Sequence, residues 1–483
     1  MMHNTYKKIP PILYALIFII FFTSCSNFIS GETPLPLPYE EREFIKLSKL
    51  VSSIPNITYS TGERNIKFYV VAFDGTQNNQ YDFDKNSERE TIVAYLYNFL
   101  KKKDYLGQYY IGPGYKDIID SALCTTCVSK AETAITDIKE KISNEWGGIP
   151  NLEVRVIVLG FSRGAAIGRH FMNLLDENFQ TSLLASITST EPLVRTTAIM
   201  FDTVPTNVSD KLQLSISEST DYFIHIIAKN ERRDLFYGVK DYDPNFITLP
   251  IIYDETKFHT CSKSEVKSSS RLFQIELPGS HSDIGSSYKN GIGTLYRNYG
   301  LFILSSLGLT HENKFHIEES FYSQGYHDSR GYIDITKSAI FGERPIRKYI
   351  NIYSKPLMPE EIVLLNERLN SMYLSSAHSF ITDTKEIRPI VFDVFKENNE
   401  LTIIDNHSGI KRSDISYSYE NASHTIKYRF NDSNKASLVT IHKNIWEQIP
   451  NNEMSRIEII LLKNDNVNNL YFYINCKRAL EYH

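Results

Sequence analysis

The stretch "VRVIVLGFSRGAAIGRHF", residues 154–171, decides how this chain is read. Its first half is a nearly continuous run of aliphatic residues, the pattern of a strand covered on both faces. It passes through Gly160-Phe161-Ser162-Arg163-Gly164 and leaves as an alanine-rich segment with helical character. A Gly-x-Ser-x-Gly string alone is common. Set between a strand and a helix it carries information, because a serine on so tight a turn needs neighbours without side chains. Ser162 is therefore the candidate nucleophile, and the following residue, Arg163, would donate a backbone N–H to an oxyanion. A second donor is expected from the loop after an early strand. "IKFYVVAF" (66–73) is such a strand, and it runs into Asp74-Gly75-Thr76. Gly75 or Thr76 is the candidate there; a plain turn is the other reading of that tripeptide.

Outward from this stretch, short apolar runs alternate with amphipathic ones. "ETIVAYLYNFLKKK" (90–103) has helical spacing, "QYYIGPG" (108–114) reads as a strand closed by Gly and Pro, and 129–146 reads as a helix begun by a Ser129/Glu132 capping box. "VRTTAIMFD" (194–202), "DYFIHIIAKN" (221–230) and "RLFQIELPG" (271–279) follow as strands. Strands alternating with helices imply βαβ units and a mostly parallel sheet with helices on both faces, an α/β fold of the hydrolase type. Beyond about residue 390 the texture becomes short period-2 strands between Asn/Asp/Ser turns, which predicts a small C-terminal antiparallel β region. The organisation expected is a signal peptide at 1–24, a tether and linker at 25–63, a catalytic domain at 64–385 and a β-rich domain at 386–483.

Such a fold demands the order serine, acid, histidine. Asp202 ends the run "TTAIMF", and His281 follows "FQIELPGS"; both fall at the C-terminal ends of strands, the edge where open α/β sheets place their sites. Asp202 would orient the imidazole, and His281 would take the serine proton and deliver it to the leaving group. An acid or histidine at a strand end is more often a cap or turn residue, but three in the required order form a constellation. His170 lies too close to Ser162 along one helix, and His225 sits within a strand, where packing is the plainer role. His327, in "GYHDSRGY", is the alternative base.

Several strings taken together, "FDGTQNN", "ETIVAYLYNFL", "YYIGPG", "GFSRGAA", "FDTV", "IIAKNERRDLF" and "PGSHSDIGSSY", resemble the catalytic domain of the type VI secretion phospholipase effectors (type VI lipase effector family one), an α/β-hydrolase family. They run in order from about residue 66 to 350. The resemblance implies that Ser162, Asp202 and His281 form a triad and that the substrates are glycerophospholipid acyl esters. Members carry an arginine pair like Arg232-Arg233, with a structural or a phosphate-facing role. The chain departs from the family in having Gly285-Ser286-Ser287 where a glycine-rich run follows the histidine, and in its N-terminal leader.

That leader, "MMHNTYKKIPPILYALIFIIFFTSCSN", has Lys7 and Lys8, eleven apolar residues from Ile12 to Phe22, and Cys25 where cleavage should fall. The run is short for a membrane span and reads as a signal peptide. Phe22-Thr23-Ser24-Cys25 resembles a bacterial lipobox, so Cys25 is the expected lipidation site, with Phe22 in place of the usual leucine. This implies a lipoprotein of the bacterial cell envelope, in the outer membrane facing the periplasm. An ordinary cleaved signal and a short uncleaved anchor are the alternatives. Export would permit pairing among Cys124, Cys127, Cys261 and Cys476, and no second Cys/His pair stands at zinc-finger spacing, so no metal site is expected. A net charge of −5 without a basic run argues against nucleic acid as a partner.

The reading reached from sequence is a lipid-anchored serine esterase or phospholipase, needing no cofactor because a triad and an oxyanion hole suffice for ester chemistry. Its rivals are a carboxylesterase for a non-lipid ester and a non-catalytic envelope-binding lipoprotein on a hydrolase fold. For the C-terminal β region, membrane contact, docking of a protein partner and plain stabilisation all stay open.

Overall fold

The computed structural model describes residues 34–38, 41–42, 45, 54–60, 64–83, 88–243, 271–310, 324–330 and 347–380, and seven strands between 390 and 478. The signal peptide, Cys25, Cys261 and the side chain of Cys476 lie outside the described residues. The chain divides into two compact units. One contains the described residues within 60–244 and 274–365, together with 34–38; the other contains those within 39–59, within 245–273 and from 366 onward.

The first unit is built on six strands: β1 (Asn65–Phe73), β2 (Gly107–Tyr110), β3 (Leu152–Phe161), β4 (Leu193–Phe201), β5 (Thr220–Ala228) and, after β6 (Gly238–Tyr242), β7 (Leu272–Leu277). Their order is β2-β1-β3-β4-β5-β7, and the β2–β1, β1–β3, β3–β4 and β4–β5 pairings are parallel. All of β3, β4 and β5 is buried, which explains why their sequences read as continuous apolar runs without alternation. Val156, Ile157, Val158 and Leu159 are wholly enclosed, each worth about 1.5–3 kcal/mol of gross hydrophobic stabilisation.

The covering helices are α1 (Ile92–Lys101), α2 (Ile118–Leu123), α3 (Cys127–Lys141), α4 (Arg163–Asn178), the single turn α5 (His281–Ile284) and α6 (Gly293–Ser306). α1 packs with α6 and α3 with α4, giving two helical layers. Gly300 of α6 faces Leu96 of α1 so closely that a Cβ there would stand 3.0 Å from its methyl carbon.

Three local differences from the sequence reading have physical causes. α3 starts at Cys127, with Thr126 at its cap, not at Ser129. Asp120 accepts both the N–H and the hydroxyl of Thr126, and the Cys124–Cys127 disulfide closes that turn. Ser129 instead donates to the Thr126 carbonyl. The same helix ends at Lys141 and continues as a π-helical turn, Ile142–Trp146. Finally, β6 pairs in parallel with β8 (Tyr349–Tyr353), more than a hundred residues away, as a separate two-stranded sheet. A pairing so distant leaves no mark in local periodicity.

After α7 (Pro359–Phe380), the second unit holds β9 (Ile390–Glu397) to β15 (Ile474–Arg478) in two sheets, β10-β9-β14-β15 and β11-β12-β13. Every neighbouring pair in them is antiparallel. Among the described residues no helix is long and apolar enough to cross a membrane.

Register fixes where chemistry can occur. Phe73 pairs with Gly160, Phe161 with Phe201 and Phe201 with Ile226. The residues that follow, Asp74, Ser162 and Asp202, therefore emerge along one edge of the sheet. β1 has β2 on one side and β3 on the other, so the chain switches direction there, and the crevice beyond the strand ends opens between the Asp74 loop and the Ser162 turn.

Candidate active site

Ser162 occupies a strained backbone, φ 58° and ψ −127°, between β3 and α4. Conformations of this kind cost about 1–3 kcal/mol and persist only where the surroundings enforce them. Here the Ser162 N–H is bonded to Phe201 O at 3.1 Å and its carbonyl accepts Val204 N–H at 3.3 Å. The flanking glycines are required by backbone approach. A Cβ on Gly160 would meet Ala165 Cα at 2.6 Å, and one on Gly164 would lie 2.3 Å from the carbonyl oxygens of Phe73 and Asp74. The start of α4 is thus pressed against the end of β1. Ser162 is 6% exposed, and its hydroxyl takes no hydrogen-bond partner among the described residues.

Asp202 also has a positive φ, 43°, directly after β4, and it is fully buried. Its Oδ2 lies 2.6 Å from His281 Nδ1. Ala228 N–H donates to Oδ1 at 2.9 Å, and Arg347 grips the carboxylate from the other side, Nη1 to Oδ1 at 2.5 Å and Nη2 to Oδ2 at 3.0 Å. Burial alone would raise the Asp202 carboxyl; the Arg347 guanidinium and the His281 bond overcome it and hold the group well below the usual carboxylate range. An ionised Asp202 selects the His281 tautomer with its proton on Nδ1, leaving Nε2 as an acceptor.

His281 opens the short helix α5, where Ser280 and Asp283 form a capping box. Its backbone N–H donates to Glu231 Oε2 at 3.1 Å. Its ring stacks on Phe161 at 4.6 Å between centroids and meets Phe236 edge-on at 5.0 Å, so the imidazole lies against the residue that precedes Ser162. Burial lowers the His281 pKa, against the opposing pull of Asp202. Glu231 is also bonded by Arg233 and by Ser329 Oγ. Burial would raise its carboxyl, but the Arg233 and Arg347 charges bring it down to about 2.

The loop after β1 is organised by Asp74, which is buried. Its carboxylate accepts the Gly75 N–H at 2.7 Å, Tyr109 OH at 2.5 Å and Thr91 Oγ1 at 2.8 Å. Burial raises its pKa to about 6 despite these bonds. The Gly75 N–H is thus occupied in this geometry, and Gly75 O lies against Gly112. Thr76 receives Arg163 Nη1 on its hydroxyl at 3.2 Å, and the same guanidinium reaches Ser121 O. The backbone N–H of Arg163 stands at the first position of α4, where no intrahelical acceptor exists.

His327 is held elsewhere. Its Nδ1 bonds Asp283 Oδ1 at 2.7 Å, its N–H bonds Asp283 Oδ2, and its Nε2 lies 3.1 Å from Asn290 Oδ1. His225 is enclosed between Asp241 and Thr203 N–H, with Arg169 bonded to the same Asp241. Arg233 lies over the Phe236 ring as well as against Glu231. Sequence reading missed Arg347, Glu231 and Asp74. Only Asp74 had a visible signal, as the strand-end acid of "FDGT". Among the described residues no group of three or more His, Cys, Asp or Glu side chains is placed to hold a metal ion.

No family model and no curated relative matches the chain. Among solved structures it is similar to the Tle1 effector bound to the VgrG spike from the Type 6 secretion system, at 20% identity over 48% of this chain and 52% of that one, with a TM-score of 0.29. It is also similar to an uncharacterized protein from Pseudomonas aeruginosa, at 15% identity over 72% of this chain and 57% of that one, with a TM-score of 0.31. The chain thus spans little more than half the length of each.

Proposed function

We propose that this protein is a serine hydrolase that cleaves carboxylic esters, with glycerophospholipids as its substrate class. The observation that carries the reading is the 2.6 Å contact between Asp202 and His281, made at the sheet edge where Ser162 is held on a strained turn. In this reading Asp202 fixes the imidazole, and His281 Nε2 accepts the Ser162 proton as Oγ attacks the ester carbonyl. The oxyanion is met by the Arg163 N–H and by the loop after β1, with the Thr76 N–H in place of the occupied Gly75 N–H. Collapse expels the alcohol, protonated by His281, and water then releases the acyl group by the same steps in reverse order. The serine–histidine hydrogen bond forms on substrate binding, as is common for catalytic bonds that are loose in the free enzyme.

The lipid part of the proposal is supported by the surface beside the turn. α2 leaves Ile118, Ile119 and Leu123 exposed by 57%, 67% and 42%, and α2 is tied to Arg163 through Ser121 O. Apolar side chains so placed suit acyl chains arriving from a bilayer. Lipidation at Cys25 belongs to the same proposal, since an anchor raises the effective concentration of a membrane substrate. A second reading, a carboxylesterase for a polar ester, is favoured by the charged lining of the cleft beside His281, which includes Arg232, Arg233 and Lys348.

Hydrolysis of p-nitrophenyl butyrate and of phosphatidylglycerol vesicles by wild type, Ser162→Ala and His281→Ala tests the proposal. Loss of about 10³-fold or more in kcat with both substrates in both variants is expected. Hydrolysis of the butyrate alone would leave the second reading standing. Full activity in Ser162→Ala would remove both.

A further inference from the structure

We propose that His327 and Ser329 are positioning residues for His281, and that the N-terminal arm, residues 34–37, is the strap that keeps them in place. The inference rests on the serine-hydrolase reading and adds to it the residues that align its base.

The need for such residues follows from the length of α5. His281 opens a helix of four residues, and a single turn has no stability of its own because helix nucleation is costly. Its position must therefore be fixed from outside. Two buried carboxylates do this. Glu231 Oε2 accepts the His281 N–H at 3.1 Å. Asp283 Oδ2 accepts the N–H and the hydroxyl of Ser280, each at 3.0 Å.

Both carboxylates are bonded in turn from one short segment. Ser329 Oγ donates to Glu231 Oε2 at 2.9 Å, the same oxygen that accepts the His281 N–H. The His327 N–H donates to Asp283 Oδ2 at 2.8 Å, and His327 Nδ1 lies 2.7 Å from Oδ1. The His327 ring is itself confined. Tyr288 lies 4.0 Å away between ring centroids, and a Cβ on Gly291 would stand 2.4 Å from His327 Cε1. Residues 327 and 329 thus hold the two acids that hold the turn bearing His281.

That segment is docked on the arm. Leu35 and Tyr326 exchange both backbone bonds, Leu35 N–H to Tyr326 O at 2.7 Å and Tyr326 N–H to Leu35 O at 2.9 Å, as an antiparallel bridge. Gly325, at φ 74°, lies so close to the arm that a Cβ there would stand 2.1 Å from Leu35 O. Prolines at 34, 36 and 38 leave Leu35 and Leu37 as the N–H donors of this stretch, and Leu35 gives its N–H to Tyr326. The Leu35 side chain is 44% exposed whereas Leu37 is buried, so at residue 35 the backbone makes the attachment. Contacts therefore run from the arm through Tyr326 to His327 and Ser329, and through Asp283 and Glu231 to His281. A misplacement of about 1 Å in such a base costs about 10²-fold in rate.

The test measures kcat and KM of the full chain for p-nitrophenyl butyrate, the rate of fluorophosphonate labelling, and thermal unfolding. His327→Leu and Ser329→Ala should each lower kcat and the labelling rate about tenfold or more, with KM within about twofold of wild type. His327→Asn, which keeps a nitrogen donor near the Nδ1 position, should recover part of the loss. Leu35→Pro, which removes the N–H given to Tyr326, should lower kcat by a similar factor, and Leu35→Ala, which keeps it, should not. Leu35→Pro carries the test if His327→Leu does not fold, since the side chain it alters is exposed. Wild-type kcat in folded His327→Leu and Ser329→Ala would overturn the positioning role. Wild-type kcat in Leu35→Pro, or an equal loss in Leu35→Ala, would overturn the strap. A loss that tracks the unfolded fraction, or that falls on KM alone, would reduce these residues to a structural role and overturn the inference. No butyrate hydrolysis by folded wild type would remove the hydrolase reading, and the inference with it.

Discussion

Arg347→Met probes the part of the site that local sequence patterns did not signal. Arg347 Nη2 and His281 Nδ1 both bond Asp202 Oδ2, at 3.0 and 2.6 Å. Laid end to end, these distances keep the two nitrogens within about 5.6 Å. At an effective dielectric constant of about 20, a guanidinium and an imidazolium at that separation repel by about 3 kcal/mol. Removing the cation leaves the carboxylate to His281 and the Ala228 N–H, so the His281 pKa rises. In the proposed mechanism His281 is a base only when neutral, so the acid limb of kcat/KM against pH should move upward, by well over about 0.3 units. In wild type that limb should lie below 6.5, because burial lowers the His281 pKa. The variant also leaves Asp202 buried with one charged partner fewer, a loss of about 3–5 kcal/mol in stability. Arg347→Lys keeps a charge and should hold the limb near its wild-type position. The assay is the pH dependence of p-nitrophenyl butyrate hydrolysis, with denaturant unfolding measured alongside. A folded Arg347→Met whose acid limb stays within about 0.3 units of wild type would refute the reasoning.

Ser162→Gly should be more stable than Ser162→Ala by about 1 kcal/mol or more, because glycine adopts φ 58° without strain; equal urea midpoints would show that the turn is not strained. Gly164→Ala should destabilise by several kcal/mol, since its Cβ would stand 2.3 Å from two backbone oxygens and push α4 off the end of β1; a wild-type melting temperature would contradict the close approach. Asp74, raised from 3.8 to about 6, contributes stability that is present below about 3.8 and lost as pH rises through about 6. Wild type should therefore lose about 2 kcal/mol relative to Asp74→Asn between pH 4 and 7; parallel stability curves over that range would exclude the shift.

Much of the sheet was legible because burial writes itself into local sequence. The runs read at 66–73, 154–160 and 194–202 became β1, β3 and β4 to within two residues at either end, and each strand ends in phenylalanine before Asp74, Ser162 and Asp202. The elbow was legible for a steric reason: Gly160 and Gly164 are positions where any Cβ would strike backbone. What escaped depends on partners far along the chain. Arg347 reaches Asp202 across 145 residues, and β6 finds β8 across a similar interval. No period or spacing announces such contacts. The start of α3 escaped for the opposite reason: Ser129 and Glu132 mimic a capping box, but Asp120 and the Cys124–Cys127 disulfide secure the chain one turn earlier.

The central claim is that Ser162 is an activated nucleophile, and labelling with a fluorophosphonate tests it most directly. The probe phosphorus is attacked by an activated serine Oγ with loss of fluoride, and no ester substrate need be known in advance. The account predicts covalent labelling of the folded wild-type chain, none of Ser162→Ala, and strongly reduced labelling of His281→Ala. Folded wild type that stays unlabelled both in buffer and with phospholipid vesicles, or a Ser162→Ala variant that labels as well as wild type, would contradict it.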